Sequence, residues 1–242
     1  MRTSTFAATD TGLVRTGNED SSFRGSTVLA VADGLGGHQA GEVASAIAIA
    51  AIAKLDGLRF ATPEAARDAL VAAVLEGNRA VLDKATREPD SWGMGTTMTA
   101  AALAGDRWVQ LAQVGDSRAY FMRQGEGLRQ VTADQTIVGE LVRQGRLTPE
   151  EAAHHPQRSV VTRAVGLDPN LQVDTPPALE LVPGDQLLLC SDGLTDAIDD
   201  ARLAEILGAR LGGQATCQAL IDAANAAGGP DNITVVLLRV DA

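Results

Sequence analysis

Cysteine is scarce in this chain. The 242 residues hold two, Cys190 and Cys217, too few for a disulfide framework and not spaced as a Cys-x-x-Cys pair. A reducing compartment suits them, and Cys190, inside an apolar strand pattern, reads as a small core residue. Long apolar runs are also missing. The longest strictly apolar one, Ala46–Ala53, is far short of the ~20 residues a membrane helix needs. The opening "MRTSTFAATDTG" lacks the apolar stretch of a signal peptide. A soluble, cytoplasmic protein is the expectation, with no membrane partner. Positive charge is in the minority: 20 Lys and Arg face 31 Asp and Glu, a net charge of -11, and aromatic residues make up only 3%. Phosphate backbones are held by clustered Lys and Arg, and single-stranded bases by stacked aromatics, so nucleic acid is not an expected partner.

Apolar residues are plentiful, at 45%, which suffices for a sizeable core. No internal repeat, low-complexity tract or linker interrupts the chain, so one domain over residues 1–242 is expected. The stretch "VLAVADGLGG" sets the main question. Val28 to Ala32 form a continuous apolar run, as a strand covered on both faces would. Asp33-Gly34 ordinarily signals a hairpin turn, yet no second strand is expected after it. From Gly41 the pattern is helical and apolar nearly all round: Val43, Ala44, Ala46, Ile47, Ile49, Ile52. A second helix is expected to open at Thr62-Pro63-Glu64, an N-cap with proline in the first turn, with Leu70, Val74, Val81 and Ala85 as its apolar face. Strands broken at Gly105-Asp106, Gly115-Asp116 and Gly125-Glu126-Gly127 have the rhythm of an antiparallel meander. Residues 134 to 166 turn helical and polar, with a capping box in "TPEE" (148–151). Two strands are expected to meet at Pro183-Gly184-Asp185. The second, "QLLLC", runs into Ser191-Asp192-Gly193 and a helix; an Ala-rich helix ending at Gly228-Gly229 and the strand "NITVVLLRV" close the chain. Helices and antiparallel strands in blocks place it in the α+β class, with layered sheets and helices outside.

The acids carry the functional signal. Asp33 and Asp192 each end an apolar strand and precede a glycine and a helix. Asp231 opens the last strand after Gly228-Gly229-Pro230, Asp116 sits in a Gly-Asp-Ser turn, and Asp20 closes "RTGNED". A lone Asp-Gly is a common turn and signals little. Five acids at strand edges, from all parts of the chain, are harder to dismiss. If the strand ends converge, these carboxylates stay ionised only around a shared positive charge, and hard divalent cations, manganese or magnesium, are the natural ones. Gly34 would let its backbone carbonyl approach such a cation.

The ordered motifs "DTGLVRTGNED" (10–20), "VADGLGGHQAGEVAS" (31–45), "GMGTTMTAA" (93–101), "VGDSRAY" (114–120), "CSDGLTD" (190–196) and "GGPDNITVV" (228–236) resemble the bacterial branch of the metal-dependent Ser/Thr protein phosphatases of type 2C. The resemblance covers nearly the whole chain, in the family's order. It implies two antiparallel β-sheets in a sandwich flanked by α-helices, with a binuclear metal site at one end and a mobile flap at about 134–166. It implies two tightly bound Mn2+ or Mg2+ ions: Asp33 bridging both, Asp192 and Asp231 on the first, the Gly34 carbonyl on the second, with Glu19 and Asp20 nearby. Asp116, with Asp192, matches a third and weaker site. Arg15 matches the arginine that grips the substrate phosphate, a role its guanidinium fork suits. Asn232 is expected to orient Asp231, while Thr96 and Ser191 are either supporting groups or plain strand hydroxyls.

The implied reaction is attack by a metal-bridged hydroxide on the phosphorus of phosphoserine or phosphothreonine in proteins, reversing a Ser/Thr kinase. No phosphoenzyme is expected, since neither cysteine has an arginine six positions later. Some relatives place a histidine two residues after the bridging aspartate; here that position is Leu35. His38 is expected to be a loop residue, and His154 and His155 exposed flap residues. A monomer is expected. A two-metal nuclease and a phosphoprotein-binding pseudophosphatase are the competing readings; charge and composition oppose the first, and the complete set of acidic ligand positions opposes the second.

Overall fold

The computed structural model describes residues 1–36, 40–209 and 211–241. Strands β1 (Thr3–Asp10), β2 (Ser21–Arg24), β3 (Val28–Ala32) and β4 (Gly34–Leu35) lead to helices α1 (Ala40–Ala53) and α2 (Pro63–Arg87). Then come β5 (Gly95–Thr96), β6 (Met98–Ala104), β7 (Trp108–Val114), β8 (Arg118–Arg123) and β9 (Gly127–Gln130). After these follow α3 (Ile137–Arg143), α4 (Pro149–Ala153), β10 (Leu179–Glu180) and β11 (Gln186–Cys190). The last elements are α5 (Asp192–Thr195), α6 (Asp200–Gly208), α7 (Gly213–Ala226) and β12 (Ile233–Val240).

The strands form two five-stranded antiparallel sheets, ordered β1-β12-β11-β8-β9 and β10-β7-β6-β3-β2. Alternation along each strand explains the layers. In β11, Leu187 and Leu189 face the other sheet and, with Val236 beside them on β12, join Leu29, Val31 and Leu111 from it. Leu188 and Cys190 point the opposite way, under Leu203, Ile206, Leu220 and Ile221 of α6 and α7. In β3, Val28, Ala30 and Ala32 likewise pack beneath α1 and α2, against Ile52, Leu70 and Val74. Each central strand is thus covered on both faces, which is why it reads as an unbroken apolar run rather than an alternating one. The result is an α-β-β-α sandwich, as expected.

Local signals hold where chemistry is local. Thr62 caps α2 by accepting from the Ala65 amide, with Pro63 in the first turn. Thr148 and Glu151 form the reciprocal capping box of α4. Three expectations need correction. A short strand does follow Asp33: Gly34 and Leu35 pair with Thr96 and Gly95, so the chain turns across to a different partner instead of folding back on β3. The strands either side of Pro183-Gly184-Asp185 do not pair with each other; β10 joins β7 in one sheet and β11 lies in the other. Asp185 fixes this corner. Its carboxylate accepts from the Val182 amide and from both Nε and Nη2 of Arg123. Thirdly, His155 is half-buried, its Nδ1 accepting from the Gln157 amide, while His154 is exposed. His38 lies outside the described residues.

Candidate metal centre and phosphate site

All five candidate aspartates lie at the same end of the sandwich. Asp33 follows β3, Asp116 lies between β7 and β8, Asp192 follows β11, Asp231 precedes β12, and Asp20 precedes β2. The antiparallel register makes these ends coincide: Ser21 is opposite Ala32, Met98 opposite Val114, and Cys190 opposite both Arg118 and Val235.

The backbone of Asp33 is clamped from both sides. Its amide donates to Thr97 Oγ1 at 2.9 Å. Its carbonyl accepts from the Thr97 amide at 2.9 Å and from Thr96 Oγ1 at 2.8 Å. The carboxylate is left facing other acids. Burial, then the charges of Asp192, Asp20 and Asp116, push its pKa well up. Asp192 is pushed up to about 6, by burial first and then by Asp196. Asp20 is pushed up to about 7 by burial against the stabilising bond from Ser191 Oγ to its Oδ2 at 2.7 Å. Its Oδ1 is buried without any hydrogen-bond partner. Asp116 is also pushed up to about 7, by burial and then by Asp192. Burial raises Glu19 as well.

Among the described residues, no three His, Cys, Asp or Glu side chains form a ready-made metal-binding group. The acids nevertheless suit hard divalent cations. Every candidate ligand atom is a carboxylate or carbonyl oxygen, the charges of Asp192, Asp20 and Asp116 press on Asp33, and Asp20 Oδ1 is an orphaned buried acceptor. Gly34 is buried, and a Cβ there would collide with the carbonyls of Gly41 and Glu19.

Arg15 reaches the same end on the exposed segment before β2. Its Nη2 donates to Asp231 Oδ2 at 2.7 Å, and this bond raises its pKa. Asn232 supports the region differently from the expectation. Its side chain makes no hydrogen bond to Asp231; its backbone amide donates to Asp231 Oδ1 at 2.8 Å. The side chain ties down the loop instead, Nδ2 donating to the carbonyls of Thr11 and Gly17 and Oδ1 accepting from the Glu19 amide. Ser191 and Thr96 both bond directly to site aspartates, at Asp20 and Asp33.

Sequence reasoning missed several supports. Thr97 lies in a quoted motif, yet nothing in a threonine at a strand end distinguishes a clamp from an ordinary hydroxyl. Arg118 carried no signal either. It is largely buried and binds Asp134 through Nε at 3.0 Å and Nη2 at 2.7 Å, while Nη1 donates to Tyr120 Oη at 3.0 Å. Asp196, whose charge acts on Asp192, was also missed. A cavity of about 830 Å³ opens beside the acids, lined by Asp116 and Asp192 and by Thr136, Val138 and Val142 around α3.

The family described as "Protein phosphatase 2C" matches residues 16–225. The chain belongs to the protein phosphatase 2C family. It is 47% identical over 240 residues to the serine/threonine protein phosphatase PstP of Mycobacterium tuberculosis, covering 97% of this chain and 44% of that protein. The chain therefore spans under half the length of that relative. It is 38% identical to the serine/threonine phosphatase stp of Listeria innocua, covering 96% of this chain and 93% of the relative. Among solved structures, the M. tuberculosis PstP/Ppp phosphatase superposes with a TM-score of 0.91 at 45% identity, covering 99% of both chains. The PstP catalytic domain in complex with two manganese ions superposes with a TM-score of 0.89 at 43% identity, again covering 99% of both chains. The family's fold is that of the two-sheet sandwich described above.

Proposed function

We propose that this chain is a metal-dependent protein serine/threonine phosphatase, hydrolysing phosphoserine and phosphothreonine monoesters in proteins. The observation that carries the reading is the convergence of Asp33, Asp192, Asp20 and Asp116, from four separated segments, into one electrostatically linked cluster. Family membership and the two manganese ions in the PstP structure support it.

Asp33, Asp192, Asp231 and the Gly34 carbonyl would hold two Mn2+ or Mg2+ ions, with Glu19 and Asp20 beside them; Asp116 and Asp192 would hold a third, weaker one. When bound, the ions supply positive charge and a water whose pKa is lowered towards neutrality. The chain's own groups do the rest. Arg15, on an exposed loop that Asn232 anchors at both ends, leaves Asp231 and forks onto two phosphate oxygens. Attack by water on phosphorus, in line with the seryl or threonyl oxygen, forms one P–O bond as the other breaks, releasing inorganic phosphate and the alcohol. Leu35, where some relatives carry histidine, has no proton to give, so the leaving oxygen takes its proton from water. A cysteinyl phosphate is ruled out by thiol chemistry: burial pushes the Cys190 thiol up to about 12 and Cys217 up to about 11, leaving almost no thiolate at neutral pH.

The reading extends to a cytoplasmic monomer that opposes a Ser/Thr kinase, acting through one catalytic domain over 1–242 with its flap at 134–166. It is supported by relatives that are themselves protein phosphatases. Among the described residues, no helix is long and apolar enough to cross a membrane. The experiment is hydrolysis of para-nitrophenyl phosphate with manganese, with and without chelator. Turnover that chelator abolishes is expected. Phosphopeptide binding without turnover at saturating manganese would point to a pseudophosphatase, and cleavage of DNA to a nuclease.

A further inference from the structure

The flap segment starts past β9, near Asp134, and its return runs beside its start at Thr136 and Val161, and Gln135 is where these two stretches meet the Asp116 turn. The side chain of Gln135 is 2% exposed. Its backbone amide donates to the Gly115 carbonyl at 3.0 Å, and its Oε1 accepts from the Gly115 amide at 2.9 Å. Gly115 is the residue immediately before Asp116. It lies beyond the end of β7, has φ +92°, and is pressed against Thr97 so closely that a Cβ would meet that side chain at 2.7 Å. Its amide therefore has no ladder partner, and Gln135 supplies one. From the other side, Gln113 Nε2 donates to the carbonyls of Gly115 and Ser117, at 3.0 and 2.7 Å.

Gln135 faces the flap's return as well. Its carbonyl accepts from the Thr162 amide at 2.7 Å and from Thr162 Oγ1 at 3.0 Å. Its Nε2 donates to Asp174 Oδ2 at 2.8 Å, and Asp174 Oδ1 accepts from Arg163 Nη1 at 2.8 Å. The bonds of one buried residue thus tie the turn that carries Asp116 to Thr162, at the flap's return, and to Asp174, which itself holds Arg163. The cavity beside the acids is lined by residues of that flap and by Asp116.

We propose that Gln135 is a positioning residue that locks the Asp116 turn to the flap, so that the flap's placement sets where the Asp116 carboxylate stands relative to Asp192. This rests on the reading of Asp116 as an acid of the working site. Asp116 is crowded by Asp192 and Asp134, and a Gly-Asp-Ser turn held only from the sheet side could relax away from them. Two bonds to Gly115 from the flap side close that escape.

The test combines a structural and a kinetic readout on the whole chain. Gln135→Leu keeps the volume and removes the side-chain bonds. In metal-free protein, hydrogen–deuterium exchange of residues 113–118 is expected to quicken at least several-fold, while β12 stays protected. With manganese, kcat on a phosphothreonine peptide is expected to fall by up to about a hundredfold, the scale on which a misplaced group acts. In an Asp116→Asn background, which is itself impaired, Gln135→Leu is expected to add nothing. If Gln135→Leu does not fold, Asp174→Ala, at a half-exposed site, removes the anchor that holds the Gln135 amide and is expected to quicken the same exchange. Unchanged exchange at 113–118 overturns the proposal. So does a Gln135→Leu loss that multiplies fully with that of Asp116→Asn. Wild-type turnover in Asp116→Asn alone would sink the reading of Asp116 instead, and the exchange measurement would then decide the coupling by itself.

Discussion

Carboxylates crowded together away from water resist ionising together without a cation, and Asp33 is so placed beside the charges of Asp192, Asp20 and Asp116. The consequence is an inverted pH dependence. Asp192 is pushed up to about 6, and Asp20 and Asp116 to about 7, from the ordinary aspartate value of 3.8. Their folded forms bind protons more tightly than the unfolded chain does. The stability they contribute is complete below pH 3.8, and it is lost as pH rises through 6 and 7. A tenfold difference in proton affinity between folded and unfolded chain is worth about 1.4 kcal/mol. Chelator-treated protein is therefore expected to have a lower Tm at pH 8 than at pH 5.5, and manganese to restore most of the loss at pH 8 and little at pH 5.5. A flat Tm between these values would show that the acids are not crowded. Arg15 makes a second prediction at this scale. Because its guanidinium bonds Asp231 at the exposed rim, Arg15→Ala is expected to leave manganese binding by calorimetry near normal. It should lower kcat/KM roughly a hundredfold, as loss of a transition-state donor does. Equal kinetics would make Arg15 an ordinary surface charge.

At the scale of elements, the junctions between strand and helix place the acids. β11 ends at Cys190 and α5 starts at Asp192, so the carboxylate leaves the sheet at a fixed point. Gly193 makes this possible, since a Cβ there would collide with the Asn232 carbonyl at the start of β12. Gly193→Ala is expected to push Asp192 away from Asp231, lowering Tm and reducing turnover at saturating manganese. A variant with wild-type Tm and rate would mean that the two junctions are not in contact. Local junctions were legible in the sequence because their chemistry is local: Thr62-Pro63, Thr148 with Glu151, and the step from strand to helix at Asp192-Gly193. Pro183-Gly184-Asp185 misled for the same reason. It has the composition of a hairpin turn, but the partner that decides its path is Arg123, 62 residues away. Thr97, Arg118 and Gln135 were invisible as supports for a related reason: their roles lie in long-range bonds that no spacing rule encodes.

For the whole molecule, the sandwich was legible because both central strands, covered on either face, read as unbroken apolar runs, and because the six motifs kept their order. Convergence of the acids is a property of the two sheets together. β3 and β6 belong to one sheet, β8, β11 and β12 to the other, and only their face-to-face packing brings Asp33 from the first against Asp192 from the second. The molecule is thus a scaffold that holds mutually repelling charges in place at one end of its sandwich. The most direct measurement of that claim is release of inorganic phosphate from a phosphothreonine peptide, followed against manganese concentration for wild type and Asp33→Asn. Wild type is expected to be inactive in chelator and to rise to a plateau with manganese. Asp33→Asn is expected to stay at least a hundredfold lower at every concentration, the scale on which removing one electrostatic stabiliser acts, while its thermal unfolding remains cooperative. Activity in wild type that persists in chelator, or an Asp33→Asn variant that reaches the wild-type plateau, would contradict the account.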